Sequence, residues 1–328
     1  MRVLPQVSCQ PHGAALLPAI VLMALVSILA VGVSWIGYAS TARVQSQRDM
    51  GQAKYIADAM IDYARWILVT DQLGQAGGSA LMDHLAEPWA IPIPHSRLQM
   101  LFGAEMSEED KRVFGSATIA GAISDEQGKY NINTLFLPGS SEAQREEAAD
   151  KLRTFCRLIG LSENATAALL KKAMDIHSRQ KTSEETKGIE QISIPTAWYE
   201  LQDWMRSFPN LSEEERSVLI KEMTWLPVTS RFNINTASKS RIAMLFEGTN
   251  IDLADTIFLR RSQIPFRMPS ELTAVTPALV GLDFSQIDTR SDYFKVEGYA
   301  QYGLAEQSFI VLLHRQGAQV KLLDQWAP

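Results

Sequence analysis

The stretch AALLPAIVLMALVSILAVGV, residues 14–33, sets the organisation of the whole chain. It contains no Asp, Glu, Lys or Arg, and none occurs anywhere between Arg2 and Arg43. A helix needs about 20 apolar residues to span a bilayer, whereas the apolar part of a cleavable secretory signal has about 7–15. The stretch therefore predicts a transmembrane helix. The small residues at 39–42 keep a removable signal peptide open as the alternative.

The helix is predicted to continue beyond the membrane. In QAKYIADAMIDYARWILV, residues 52–69, apolar residues recur at three- and four-residue spacing, with charged residues between them. A continuous helix over 14–69 would be about 80 Å long at 1.5 Å per residue. Gly74, Gly77 and Gly78 are expected to end it. The second half of this helix is typical of the spine of a globular domain.

Composition limits the classes of function. The 328 residues are 46% hydrophobic and carry a formal net charge of −6, so the chain can bury a sizeable core. Affinity for nucleic acid needs clustered Lys and Arg, so the acidic balance argues against that partner. The cysteines are Cys9 and Cys156, and Cys9 precedes the apolar stretch. A mature domain is therefore expected to hold one thiol and no internal disulfide.

Extended segments on both sides of a long helical region predict one antiparallel sheet packed on the spine helix. Residues 113–123 alternate in the manner of a strand, 125–128 form a turn, and 129–133 are extended again, which predicts a hairpin. Near the end of the chain, strands are predicted over 293–302, 308–314 and 319–323.

The region between the strands, roughly 138–288, is predicted to be helical. Helix starts are indicated by Ser141 with Gln144 and by Ser212 with Glu215, each in the spacing of a capping box. This region is expected to be an insertion within one sheet domain, because strand-like segments flank it on both sides.

A short motif occurs twice. Residues 130–134 read Tyr-Asn-Ile-Asn-Thr, residues 232–236 read Phe-Asn-Ile-Asn-Thr, and a helical segment follows each. Asparagine side chains readily bond nearby backbone groups, so each copy suits a strand end or turn that enters a helix. Paired active sites are the less favoured interpretation.

Common catalytic outlines are absent from the sequence. It contains no G-x-S-x-G, H-E-x-x-H, C-x-x-C, Walker A or G-x-G-x-x-G motif, and its five histidines are dispersed. The chain is therefore predicted not to be an enzyme, although an unrecognised periplasmic active site stays open as an alternative.

The segment 242–261 has the outline of a helix-hairpin-helix that ends Leu259, Arg260, Arg261. A membrane-anchored nucleic-acid-binding protein is therefore the alternative function. Its hairpin is unsuitable for cradling a phosphate, because residues 247–252 contain one glycine and two acids. Nucleic acid is not expected as a partner.

Four segments together resemble the general secretion pathway protein K family, the K-type minor pseudopilins of type II secretion systems. They are the Gly13–Ala14 junction after a short polar leader, residues 125–133 (DEQGKYNIN), residues 226–237 with their FNINTA ending, and residues 293–298 (YFKVEG). The resemblance covers nearly the whole chain.

The resemblance implies a pilin-like α+β fold: a long N-terminal transmembrane and spine helix on an antiparallel sheet, with a large, mainly helical insertion. It divides the chain as leader 1–13, transmembrane segment 14–36, pilin-like periplasmic domain 37–137 with 289–328, and helical insertion 138–288. It also implies a single-pass protein of the bacterial inner membrane whose C-terminal domain is periplasmic.

In this family prepilin peptidase cuts after the leader glycine, which corresponds to cleavage between Gly13 and Ala14. Most pilins and pseudopilins then carry Glu as the fifth mature residue, where this chain has Pro18. Lack of that Glu is typical of the K subunit. The resemblance implies a tip complex with the I and J minor pseudopilins that initiates the pseudopilus for protein export across the outer membrane.

The family also implies bound Ca²⁺ in the periplasmic domain. Asp283, Asp288, Asp292 and Glu297 cluster in the sequence near the return to the sheet and are the candidate ligands. The alternative is that these are ordinary solvated acids at strand and loop ends.

Overall fold

The computed structural model describes residues 16–75, 82–187, 193–275, 279 and 284–326. The helices are α1 (Leu16–Gln75), α2 (Leu98–Phe102), α3 (Glu108–Phe114), α4 (Glu142–Leu158), α5 (Glu163–Lys187), α6 (Ser193–Ser207), α7 (Glu213–Glu222), α8 (Lys239–Ala243), α9 (Ile251–Gln263) and α10 (Leu272–Val275). The strands are β1 (Ile93–Arg97), β2 (Thr118–Asp125), β3 (Tyr130–Asn131), β4 (Met223–Thr224), β5 (Phe232–Asn233), β6 (Ile287–Asp288), β7 (Tyr293–Tyr302), β8 (Ala305–Gln316) and β9 (Gln319–Trp326).

Helix α1 is continuous for 60 residues, which confirms the predicted joining of membrane span and spine. Its first part is fully exposed in the isolated chain and is long and apolar enough to cross a membrane by length and composition. Trp35 and Tyr38 lie at the end of that part, where aromatic side chains commonly mark a membrane interface. The membrane half and the folded half are therefore one rigid element.

The second half of α1 packs on one face of the five-stranded antiparallel sheet. Its buried residues follow the predicted helical spacing and are Ala53, Ile56, Ala57, Ile61, Ala64 and Leu68. They form one core cluster with side chains of the sheet that include Ile119, Phe294 and Val311. The apolar stripe of α1 is therefore buried against one face of the sheet.

The sheet has the strand order β1-β2-β7-β8-β9, and every pairing in it is antiparallel. The predicted strands near the C-terminus are confirmed and extend somewhat further than expected. Strand β1 was not predicted from the sequence, because Ile-Pro-His-Ser-Arg lacks a strand pattern. It is an edge strand with an irregular register after Ile93, which is where a sheet tolerates Pro94.

The other face of the sheet is covered by the helical region. Phe309, Val311 and Leu313 of β8 belong to the core cluster beneath α1, whereas Ile310 and Leu312 belong to the cluster formed by α4, α5, α6 and α7. Residues 309–313 are all apolar because both faces of β8 are buried. The molecule therefore has three layers: spine helix, sheet and helical insertion.

The predicted hairpin of 113–123 with 129–133 is wrong. Strand β2 pairs with β1 on one side and with β7 on the other, where Asp125 lies opposite Phe294. Residues 113 and 114 belong instead to α3, which Ser107 caps by accepting a hydrogen bond from the Asp110 backbone N–H. The chain leaves the sheet after β2: Gln127 accepts a hydrogen bond from the Asn233 backbone N–H, and β3 pairs with β4 of the insertion.

The insertion occupies the connection from β2 to β7 and is mainly helical. Both predicted capping boxes are present, at Ser141 with Gln144 and at Ser212 with Glu215. Two short parallel strand pairs divide the connection: β3 with β4, and β5 with β6. Each copy of the repeated motif supplies the first strand of one pair. The fold class, α+β with a spine helix, an antiparallel sheet and a large helical insertion, is confirmed.

Gly128 follows β2 at a point where the first part of the insertion, with α4 to α7, meets the second part, with α8 to α10, at Thr236. A Cβ atom there would lie 2.7 Å from Thr236 Oγ1 and 3.0 Å from the Thr236 carbonyl carbon. Such distances leave no room for a side chain unless the backbone moves.

We expect Gly128→Ala to lower the free energy of unfolding by about 1–3 kcal/mol, the typical cost of overpacking. Chemical denaturation of the full chain in detergent measures this. Gly51→Ala is the matched control, because its added Cβ meets nothing within 4 Å. A helical Gly→Ala change there should leave stability unchanged or raise it by about 0.5–1 kcal/mol. Equal stability of both variants would contradict the close approach.

Candidate functional site

Arg315 of β8 lies at the centre of a buried polar junction, defined here as Asp83, Asp125, Glu126, Ser291 and Arg315. Its Nη2 atom donates to both carboxylate oxygens of Asp83, at 2.5 and 2.6 Å, and to the Ser291 carbonyl at 2.7 Å. The guanidinium also lies 4.8 Å from the centre of the Phe294 ring. The polar junction sits where α1, the sheet and the insertion meet.

Asp125, the last residue of β2, ties the sheet to the second part of the insertion. Its carboxylate accepts hydrogen bonds from Ser291 Oγ at 2.6 Å, from Thr236 Oγ1 at 2.5 Å and from the Gln127 backbone N–H at 2.7 Å. Burial raises the pKa of Asp125 to about 6, and these hydrogen bonds oppose the shift. The position of this acid is therefore fixed by three donors.

Glu126 ties the sheet to the first part of the insertion. Its carboxylate accepts from Lys129 Nζ at 2.5 Å, from Trp198 Nε1 at 2.9 Å and from Thr224 Oγ1 at 2.6 Å. Burial alone would raise its pKa, but Lys129 and Lys295 hold the pKa of Glu126 below its usual value. The adjacent acids of the DEQGKYNIN segment thus have separate, internal partners.

The repeated asparagines bond local backbone, as predicted, and also reach distant loops. Asn131 Oδ1 accepts from the Asn133 and Leu226 backbone N–H groups, at 3.2 and 2.9 Å. In the second copy, Asn233 Oδ1 accepts from the Asn235 N–H at 2.9 Å, while its Nδ2 donates to the Asp83 carbonyl at 3.0 Å. These side chains therefore organise turns, and the interpretation as strand ends is supported.

Three carboxylates lie together beside Arg315. Within the described ranges, Asp71, Asp83 and Glu87 are the one group of three His, Cys, Asp or Glu side chains whose ligand atoms all lie within 4.8 Å of one another. Arg315 bonds Asp83 directly and its Nη1 lies 3.5 Å from Asp71. The guanidinium thus supplies the positive charge that this cluster requires.

The predicted calcium ligands are distributed over separate contacts. Asp288 lies 3.7 Å from Arg231, Asp292 is exposed, and Glu297 pairs with Lys295 at 3.0 Å and with Arg206 at 3.2 Å. Asp283 lies outside the described residues. Burial would raise the pKa of Glu297, but Lys295 holds it below its usual value. The three described acids do not fit a calcium site by themselves, and calcium binding stays a prediction.

The other candidate residues lie at the N-terminus. Gly13 and Ala14, the predicted processing site, lie outside the described residues. Pro18 lies in the first turn of α1, which begins at Leu16, and its side chain is exposed. Proline near a helix start costs little, because the first N–H groups have no intrahelical acceptor.

The segment outlined as a helix-hairpin-helix is used inside the fold. Arg261 is buried and its Nη1 donates to the Ile234 carbonyl at 2.5 Å. A Cβ atom on Gly248 would lie 2.9 Å from Thr154 Cγ2, so the hairpin is covered by α4. Glu247 and Asp252 are exposed at the hairpin. A phosphate would meet acids there, which disfavours nucleic acid.

The bonds of the polar junction are structural: its acids are held by hydroxyl, backbone amide, indole, ammonium and guanidinium donors. The buried Cys156 lies in the helical core and is free. Sequence reasoning missed Asp83, Ser291 and Arg315, because each lies outside the motifs. The bonds that Asp83 makes with Arg315 and Ser291 join residues more than 200 positions apart. The available signal was a charged residue, Arg315, in the same strand as the apolar run 309–313.

Comparison with known proteins gives a relative by sequence and another by structure. No family model matches the chain. It is 24% identical over 322 residues to "Type II secretion system protein K" of Pseudomonas aeruginosa, covering 93% of this chain and 89% of that protein. Its fold resembles a chain in the crystal structure of the GspK-GspI-GspJ complex from the enterotoxigenic Escherichia coli Type 2 Secretion System. That match has a TM-score of 0.57 and 16% identity over 87% of this chain and 99% of the other.

An apolar N-terminal helix that continues as the spine of an antiparallel sheet defines a pilin-like protein. Within that class, the chain is similar in sequence to a type II secretion system protein K and in fold to a chain of the GspK-GspI-GspJ complex. The resemblance drawn from the sequence motifs is confirmed.

Glu87, in the carboxylate cluster beside Arg315, makes the free energy of unfolding depend on pH. It accepts hydrogen bonds from the His84 N–H at 2.9 Å and from Trp89 Nε1 at 2.6 Å. Burial raises the pKa of Glu87 from 4.5 to about 7, with smaller contributions from Asp71 and Asp83. The folded chain therefore keeps a proton on Glu87 that the unfolded chain loses near pH 4.5. The resulting stability is complete below pH 4.5 and is lost as the pH rises through about 7.

We expect the free energy of unfolding of the native chain to fall, relative to that of Glu87→Gln, by on the order of 2 kcal/mol between pH 4.5 and 7.5. Gln keeps the shape and the acceptor but cannot ionise. Denaturation curves at several pH values measure the difference, and Glu105→Gln is an exposed control that should follow the native chain. Parallel curves for the native chain and Glu87→Gln would contradict the raised pKa.

Proposed function

We propose that the chain is a minor pseudopilin placed at the tip of the type II secretion pseudopilus, where it initiates assembly with the I and J minor pseudopilins. The observation that carries the proposal is Pro18 in the membrane helix of a subunit whose sheet is covered by a bulky insertion. The relative named as protein K and the fold of the GspK-GspI-GspJ complex support it. The proposed role is assembly and not catalysis.

Pro18 supports the tip position through electrostatics. In the family arrangement, the fifth-residue Glu of an incoming subunit meets the N-terminal ammonium of one already in place. An unpaired charge in the membrane is expensive, so this pairing favours addition beneath an existing subunit. No Asp, Glu, Lys or Arg occurs from Leu16 to Ala42. A subunit of this kind lacks the carboxylate but still offers its amine, which suits the foremost position.

The insertion supports the same position through its bulk. Its helices cover the sheet face opposite α1, with Ile310 and Leu312 buried beneath them. A subunit repeated along a fibre must leave room for the subunit above it. A single subunit at the end has no neighbour there, so the layer of helices causes no clash.

The membrane placement follows from α1. One helix among the described residues meets the criteria for a span, and the folded domain follows it on one side. The proposal places that domain in the periplasm and the anchor in the inner membrane, after prepilin peptidase has cut between Gly13 and Ala14. The exposed apolar surface of α1 would then be covered by lipid and by the helices of neighbouring subunits.

Imaging of assembled pseudopili tests the tip position. A C-terminal label on the chain should give one label at one end of each fibre, whereas labels spaced along the shaft would contradict the proposal. Pro18→Glu tests the cause, since it restores the acid. If the missing carboxylate excludes the chain from the shaft, this variant should enter it in many copies. Pro18→Ala is the matched control and should stay at one end. If Pro18→Glu also stays there, the insertion is the stronger cause.

Co-purification tests the partners. The full chain, solubilised in detergent, should be recovered together with the I and J minor pseudopilins of the same secretion system in one complex. A major pseudopilin from that system is the comparison protein and should not be recovered in similar amounts. Recovery of the chain without I and J under conditions that keep it folded would contradict the partner assignment.

A further inference from the structure

A polar cavity of about 580 Å³ lies between the two parts of the insertion. Both copies of the repeated motif contribute to its wall, Tyr130 and Asn131 from the first and Phe232 from the second. Helix α4 contributes Lys151 and helix α8 contributes Arg241. Its volume is within the usual range of small-molecule sites, about 300–1,000 Å³.

Arg241 is held in the wall of this cavity by two aromatic rings. Its guanidinium carbon lies 4.1 Å from the centre of the Phe232 ring and 5.3 Å from that of Tyr130. One ring comes from each copy of the repeated motif, so the side chain is fixed between the two parts of the insertion. Stacking of this kind orients the planar guanidinium and leaves its N–H groups free to donate.

Within the described part of the chain, no carboxylate pairs with the guanidinium of Arg241. Across residues 16–75, 82–187, 193–275, 279 and 284–326 no ion pair includes it, and its Nε atom is buried without a hydrogen-bond partner. Burial lowers the pKa of Arg241 to about 10, so it remains charged at neutral pH. Arg241 is half-buried, and its buried Nε atom lacks an acceptor, which is costly and which a ligand in the cavity would relieve.

The remaining charges around the cavity leave it positive. Lys129 and Glu126 pair with each other at 2.5 Å. Lys151 and Arg231 lie at the rim with half-exposed side chains, and each has its partner on the outer side, Glu147 and Asp288. Glu247 is the other carboxylate in the wall and is exposed. The cavity thus has more cations than acids, and its least compensated cation is Arg241.

We propose that this cavity binds a ligand that carries a carboxylate on an apolar body, with the carboxylate bonded by Arg241. The planar fork of a guanidinium matches a carboxylate with two parallel hydrogen bonds. The apolar body is accommodated by Leu137, Leu226, Val228, Met244 and Leu245, which also line the cavity. The hydroxyls of Thr134 and Ser230 also line the cavity, but each already donates to a backbone carbonyl, that of Asn131 or Pro227.

Two sources can supply this chemistry: a free carboxylic acid, or the carboxylate of a polypeptide that reaches the cavity. Both present the same group to Arg241. A phosphate is disfavoured, because phosphate sites commonly gather backbone N–H groups at a helix N-terminus or a glycine-rich loop, and no glycine lines this cavity among the described residues. The inference does not depend on the tip position, and binding to the isolated chain tests it separately.

Calorimetric titration of the full chain in detergent tests the proposal. The probes are sodium hexanoate, the peptide acetyl-Ala-Leu-Phe with a free C-terminal carboxylate, the same peptide with a C-terminal amide, and inorganic phosphate. We expect at least one of the two carboxylates to bind and the amide and phosphate not to. Tighter binding of the peptide acid would identify a polypeptide source, and tighter binding of hexanoate a free acid.

Arg241→Gln should weaken carboxylate binding by at least about tenfold, as expected for the loss of a charge-assisted pair. Arg145→Gln is the control, because Arg145 is an exposed arginine of α4 outside the cavity wall. If Arg241→Gln does not fold, the unaltered chain is treated with phenylglyoxal, and mass spectrometry should show that the bound carboxylate protects Arg241 from modification. Equal binding of acid and amide, preference for phosphate, unchanged affinity of a folded Arg241→Gln, or absence of protection would overturn the proposal.

Discussion

The buried pair of Arg315 and Asp83 holds the end of the spine helix, the sheet and the insertion in one arrangement. Arg315 lies near the end of β8, Asp83 follows α1, and Ser291 precedes β7, so three separate parts of the chain meet at one guanidinium. Removing one partner of such a pair leaves a buried charge, which typically costs about 3–5 kcal/mol. Asp125 extends the same network to Thr236 through Ser291. The insertion is therefore fixed to the sheet by bonds that exist only in the complete fold.

Burial of both sheet faces makes the layers interdependent. Ile310 and Leu312 need the helices of the insertion, while Val311 and Leu313 need α1. Loss of either layer would expose part of the same strand. This dependence gives the membrane helix a rigid connection to the insertion, because α1 is continuous and packs directly on the sheet.

The sequence predicted what local patterns encode and missed what distant pairing decides. Helix α1, strands β7 to β9 and both capping boxes depend on periodicity or on spacing within a few residues. The hairpin was wrong because the partner of β2 is β7, which no local pattern reveals. Gly128 looked like a turn glycine, but its contact with Thr236 arises from the packing of two repeated motifs. Arg241 was not singled out, because an arginine without a partner is recognised only when its surroundings are known.

Native-state hydrogen exchange of the full chain tests the interdependence of sheet and insertion most directly. The account predicts that the slowest amides of the sheet, near Ile119 and Val311, exchange with the same opening free energy as those of the insertion near Leu152 and Ile257, all of which are buried. Equal denaturant dependence should accompany the equal free energies, because one opening exposes all layers. Exchange of the Leu152 and Ile257 regions through an opening of lower free energy, with the sheet still protected, would contradict it.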